Sequence, residues 1–110
     1  MKRYIENETS DSLVNKIVKE IARVVAPDRI ILFGSRAQGS ARKESDVDLL
    51  LVYSGTKSKR EIKLTIYNLF PHPDFSIDLF VMSPEELNQQ KGIANTLARE
   101  VSEKGVVCYG

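Results

Sequence analysis

The sequence is short of several things, and each shortage removes a class of protein. It holds one cysteine, Cys108, and one histidine, His72. A lone cysteine makes an intramolecular disulfide impossible and excludes a multi-cysteine zinc site. No apolar run approaches the roughly 20 residues that a membrane-spanning helix needs. An excess of one charge is missing too, since 16 basic and 15 acidic side chains leave a formal charge of +1. Without a global field to draw in a long polyanion, stable nucleic-acid binding is not expected. Repeats and low-complexity segments are lacking. The opening Met1-Lys2-Arg3-Tyr4-Ile5-Glu6-Asn7-Glu8 is polar rather than signal-like, and with so little cysteine this points to a cytoplasmic protein.

What is there suits one ordinary globular domain: 110 residues, 42% hydrophobic and 28% charged, enough for a single packed core. Residues 1–9 carry no periodic signal and read as a loose arm, leaving 10–110 as the domain. From Ser10, Leu13, Ile17, Ile21 and Val24 recur at helical spacing, and Pro27-Asp28 ends the helix. Arg29 to Phe33 is a short apolar run suited to a strand buried on both faces. Asp46 to Tyr53 is a second strand, polar at its entry and apolar beyond. A helix follows from Ser58 through Ile62, Ile66, Leu69 and Phe70, its start rich in Lys57, Lys59, Arg60 and Lys63. Phe75 to Val81 alternates as a third strand, with Ser76, Asp78 and Phe80 on one face. Ser83-Pro84-Glu85-Glu86 has the form of a capped helix start. The stretch from Ala94 to Lys104 reads as a helix closed by Gly105 in a left-handed cap, and Val106 to Tyr109 as a last short strand.

The chemistry concentrates between Gly34 and Asp48. Strand side chains alternate, so Asp46 and Asp48 project from one face. Two neighbouring carboxylates repel unless a cation sits between them, and oxygen-only ligation points to a hard metal such as magnesium. Asp78, in the middle of an apolar strand, must be ionised beside a cation, hydrogen-bonded, or costly, which makes it a candidate third member. Gly34-Ser35 at a strand end suits close approach of backbone to a phosphate. Each piece alone is weak: Gly-Ser after a strand is also simply a turn, and an Asp-x-Asp pair also serves glycosyltransferases for holding a sugar nucleotide. His72 between two prolines reads as a surface residue, and Cys108 as a small core residue.

The combination is more specific. Gly34-Ser35, ten residues from Arg36 to Ser45, and Asp46-Val47-Asp48 resemble the signature of minimal nucleotidyltransferases of the DNA polymerase β superfamily. The text around them is similar to the free-standing MNT-type antitoxins that pair with HEPN-domain ribonuclease toxins. The resemblance implies an α/β (α+β) fold, a mixed β-sheet flanked by helices. It also implies transfer of AMP from ATP, with two magnesium ions, to a tyrosine of the toxin. On that resemblance Asp46, Asp48 and Asp78 are the catalytic and metal-binding residues, and Gly34, Ser35 and Arg36 contact the nucleotide. Gln38 stands where many relatives carry arginine. The chain also has no second domain to hold an acceptor, so a partner protein is the economical source of one. The alternatives are an antitoxin that acts by occlusion alone and a nucleotidyltransferase for a small molecule such as an antibiotic.

Overall fold

The computed structural model describes residues 11–42, 45–71 and 73–110. The expected arm at 1–9 and the surface role read for His72 lie outside them. Helix α1 (Ser12–Val25) opens where Asp11 accepts hydrogen bonds from the Leu13 and Val14 amides, at 3.1 and 3.2 Å. This side chain satisfies amides that the first turn cannot, so the helix is capped at Asp11 and begins at Ser12, while Ser10, the start expected from the sequence, lies outside the described residues. It closes at Ala26, whose φ of 49° is left-handed, one residue before a proline. Its buried stripe is Val14, Ile17, Val18 and Ile21, while Val24, expected on that stripe, is exposed. Val24 turns out to the side of the stripe, which continues through Val25 against the same core.

Strands β1 (Arg29–Phe33), β2 (Val47–Val52), β3 (Ile77–Met82) and β4 (Val106–Tyr109) form one sheet in the order β3-β2-β1-β4. β1 runs antiparallel to β2 and β4, whereas β2 and β3 are parallel. The parallel step needs a crossover, supplied by helix α2 (Lys59–Leu69). Ser58 caps it in a capping box with Glu61. Helix α3 (Pro84–Gln90) begins with the expected box of Ser83 and Glu86.

Alternation sorts the strands into two faces. Ile30, Leu32, Leu49, Leu51, Leu79 and Val81 pack beneath α1 and α2, with Ile17, Ile21, Ile62 and Ile66 above them. Ile31, Phe33, Leu50 and Val52 face the other way and meet Val101 and Leu97 of helix α4 (Leu97–Lys104) and Leu87 of α3. Burying one such Ile or Leu contributes about 1.5–3 kcal/mol, so both faces are firmly set. The result is the expected α+β arrangement, a mixed sheet flanked by helices. Cover on the second face stops short of the starts of β2 and β3, where Asp48, Asp78 and the exposed Phe80 lie. A gap in the helical layer thus exposes carboxylates on an otherwise apolar sheet.

Two expectations at the C-terminal end need correction. Helix α4 starts at Leu97, capped by Thr96, and not at Ala94. Gly105 is extended, at φ −75° and ψ 157°, and not left-handed. A side chain there would meet the Val101 carbonyl at 2.5 Å and Ile31 Cγ2 at 2.6 Å, so close approach of the helix end to β1 is what requires glycine.

Candidate functional site

At the end of β1 the chain turns sharply. Gly34 has φ +75°, and a Cβ on it would stand 2.2 Å from Asp48 Oδ2. Glycine is thus required twice, for the left-handed backbone and for the space that the carboxylate occupies. The register accounts for the closeness, because Phe33 pairs with Asp48 across β1 and β2. Ser35 to Gly39 then form a tight turn, in which the amides of Gln38 and Ser40 both donate to the Ser35 carbonyl, at 3.2 and 3.1 Å.

Arg36 ties this loop together. Its guanidinium donates from Nε and Nη2 to the Ser45 carbonyl at 3.0 and 2.9 Å, and from Nη1 to Asp11 Oδ2 at 2.6 Å. Its side chain is only 6% exposed. The Ser45 hydroxyl in turn accepts from the Arg42 amide at 2.8 Å. A brace therefore runs from the cap of α1, through Arg36, to the carbonyl just before Asp46. Asp11 reports it: burial pulls its carboxyl up, yet the bonds from Arg36, Val14 and Leu13 outweigh that and hold it below its usual value.

Asp48 and Asp78 are paired in register on the parallel strands β2 and β3. Asp48 is pushed up to about 6, first by burial, then by the neighbouring Asp78 carboxyl, and then by the charges of Asp46 and Glu100. Asp46 is exposed at the mouth of β2, two residues from Asp48. The structure thus brings Asp48, Asp78 and Gly34 together, with Asp46 acting on Asp48 from beside them. Ser35 lies one residue beyond Gly34 on the same turn. Sequence reasoning missed two contributors. Asp11 carried a cap signal but none for the loop 25 residues away, and Glu100 of α4 adds the smallest of the charge effects on Asp48, which no local pattern signals.

Among the described residues, no three acidic, imidazole or thiol side chains converge as a ready-made metal cage. What the site offers is a carboxylate pair with a third carboxylate alongside. That donor set fits magnesium, which typically binds through one or two carboxylates while substrate phosphates and water complete its shell. Burial, and after it the neighbouring carboxylates, raise the affinity of Asp48 for a proton, and a divalent cation would relieve the crowding of charge. No described helix is long and apolar enough to cross a membrane.

Comparison with known proteins bears on the fold and the family. A chain in a solved structure described as "Crystal structure of the toxin-antitoxin with AMP-PNP" superposes with a TM-score of 0.55 at 22% identity, covering 86% of this chain and 72% of that one. At this identity the likeness is one of fold. No curated protein matches the sequence. The pattern of nucleotidyltransferase domains matches residues 12–109, all but the ends of the chain, and with the polymerase-β-like sheet it shows that the protein belongs to the nucleotidyltransferase domain family.

Proposed function

We propose that the protein is a magnesium-dependent adenylyltransferase that transfers AMP from ATP to a tyrosine of a HEPN-domain toxin, and so acts as its antitoxin. The observation that carries this reading is the in-register pair of Asp48 and Asp78 beside the Gly34 turn. The solved toxin–antitoxin structure of the same fold, which contains an ATP analogue, supports both the nucleotide and the kind of partner. Asp46 and Asp48 would hold two magnesium ions and Asp78 one of them. When bound, the ions supply charge stabilisation for the attacking and leaving oxygens.

The chain's own residues perform the remaining work. Gly34 lets the backbone approach the β- and γ-phosphates, and Ser35 adds a hydroxyl donor. Arg36 keeps the loop between them and Asp46 in place through its bonds to Ser45 and Asp11. The phenolic oxygen attacks the α-phosphorus as the bond to the bridging oxygen breaks, and pyrophosphate leaves on the Gly34 side. The Asp78 carboxylate takes up the phenolic proton.

The test is incubation of the co-purified partner with labelled ATP and magnesium, followed by mass spectrometry of that partner. An added nucleoside monophosphate that drops by roughly two orders of magnitude in Asp48→Ala is the expected result. Toxin inhibition that persists unchanged in Asp48→Ala with no adduct would instead establish occlusion.

A further inference from the structure

Asp46 and Asp78 also form the wall of a recess, about 390 Å³ in volume, between the end of α2 and the start of β3. Tyr67 and Phe70 of α2 line it together with Pro73 and Phe75 from the connection. The rings are fixed by packing: Phe70 and Phe75 meet edge to face with centroids 5.6 Å apart. The Tyr67 hydroxyl donates to the Ile77 carbonyl at 3.4 Å, while the residue stays 46% exposed. A larger recess, about 590 Å³, lies near Asp28, Val52 and Lys91 at the other end of the sheet and carries none of the site aspartates.

The strand order gives the smaller recess a direction. Gly34 follows β1, Asp48 lies on β2, and Asp78 lies on β3, so the three stand in a row across the sheet. Phosphoryl transfer is in line, with entering and leaving oxygens on opposite sides of phosphorus. If pyrophosphate leaves at Gly34, the acceptor must enter from the β3 side, where the recess lies. Its lining of aromatic edges and faces favours a ring over an aliphatic alcohol, and the aspartates at its wall suit a hydroxyl on that ring.

We infer that this recess is the acceptor subsite, and that Tyr67, Phe70 and Phe75 select a phenolic side chain over serine or threonine. The inference rests on the nucleotidyl-transfer reading for its polarity. It predicts which surface of the chain the partner's modified residue must reach, and it makes Tyr67 a specificity-determining residue.

The test uses the full chain saturated with AMP-PNP and magnesium, with p-cresol as the probe. The expected result is that p-cresol shifts the amide resonances of Tyr67, Phe70 and Phe75. Tyr67→Ala then weakens p-cresol binding about tenfold, Tyr67→Phe restores it, and AMP-PNP affinity changes less than about twofold. Tyr67 is half exposed, so its truncation leaves the core intact. Loss of AMP-PNP affinity in Tyr67→Ala, with p-cresol binding unchanged, would show that the recess holds the nucleobase and overturn the inference. So would p-cresol shifts that fall elsewhere. Failure of the transfer chemistry itself is read separately, as absent label on N-acetyl-tyrosinamide; p-cresol binding in the recess still supports the subsite in that case.

Discussion

Asp48 and Asp78 stand side by side in register on parallel strands, and burial together with the neighbouring Asp78 charge holds Asp48 at about 6. The folded chain without metal thus binds a proton there more tightly than the unfolded chain, whose value is near 3.8. The favourable contribution is fully present below pH 3.8 and is lost as the pH rises through 6. Asp48→Asn removes that loss. In EDTA, its melting temperature relative to wild type should therefore rise between pH 4 and pH 7, by the equivalent of about 1–3 kcal/mol. Millimolar magnesium with AMP-PNP should stabilise the wild type and leave the variant nearly unmoved. A thermal shift series across pH, with and without metal, checks both.

The ion pair of Arg36 and Asp11 should behave as one unit with the loop. Arg36→Gln and Asp11→Asn should each slow AMP transfer, and the double variant should be little worse than either single one. A coupling energy of about 1–3 kcal/mol is expected in stability. Asp11 lies at the α1 cap, so a direct phosphate role for Arg36 predicts instead that only Arg36→Gln raises the KM for ATP. Asp11 is held below its usual value, so its contribution is present above pH 3.8 and is lost as the pH falls through its lowered folded value. Acid unfolding of Asp11→Asn should accordingly be shallower than that of wild type.

Gly34→Ala should destabilise through two separable causes, backbone strain at φ +75° and the clash with Asp48 Oδ2. The strain alone costs on the order of 1–3 kcal/mol. In an Asp48→Ala background the clash is gone, so the penalty should shrink to the strain. Urea unfolding of the four chains of this cycle gives the difference directly.

Gly105→Ala should cost about 1–3 kcal/mol by overpacking against Val101 and Ile31. Gly105→Asn should do no better, although asparagine tolerates a left-handed cap. Recovery by asparagine would indicate a left-handed residue at this position.

Much of the fold was legible because it follows from local rules. The apolar run from Arg29 to Phe33 matches β1 residue for residue, and Ser83 marks its helix through a capping box that needs only four residues to form. The phase of β3 was legible as well, since alternation alone puts Asp78 and Phe80 on one face. Gly105 was misread because its sequence context suits a helix cap, while the reason for glycine is the approach of Ile31, some 70 residues earlier in the chain. Arg36 was expected at the nucleotide on the family resemblance; its bonds to Ser45 and Asp11 were not legible, because only the return of the chain past Asp11 brings those partners together.

The sequence by itself determined the residue types and spacing of the Gly34 to Asp48 stretch, and with them the family. Tertiary structure decided which of those residues face one another. Asp48 and Asp78 are 30 positions apart, and a parallel pairing in register, reached through the α2 crossover, sets their carboxyl groups side by side. The same crossover places Tyr67 and Phe70 against the loop that leads into β3. A recess of that kind is made of surfaces from separate elements, so no local pattern can encode it; it comes into being only when the core on both faces of the sheet fixes where α2 ends.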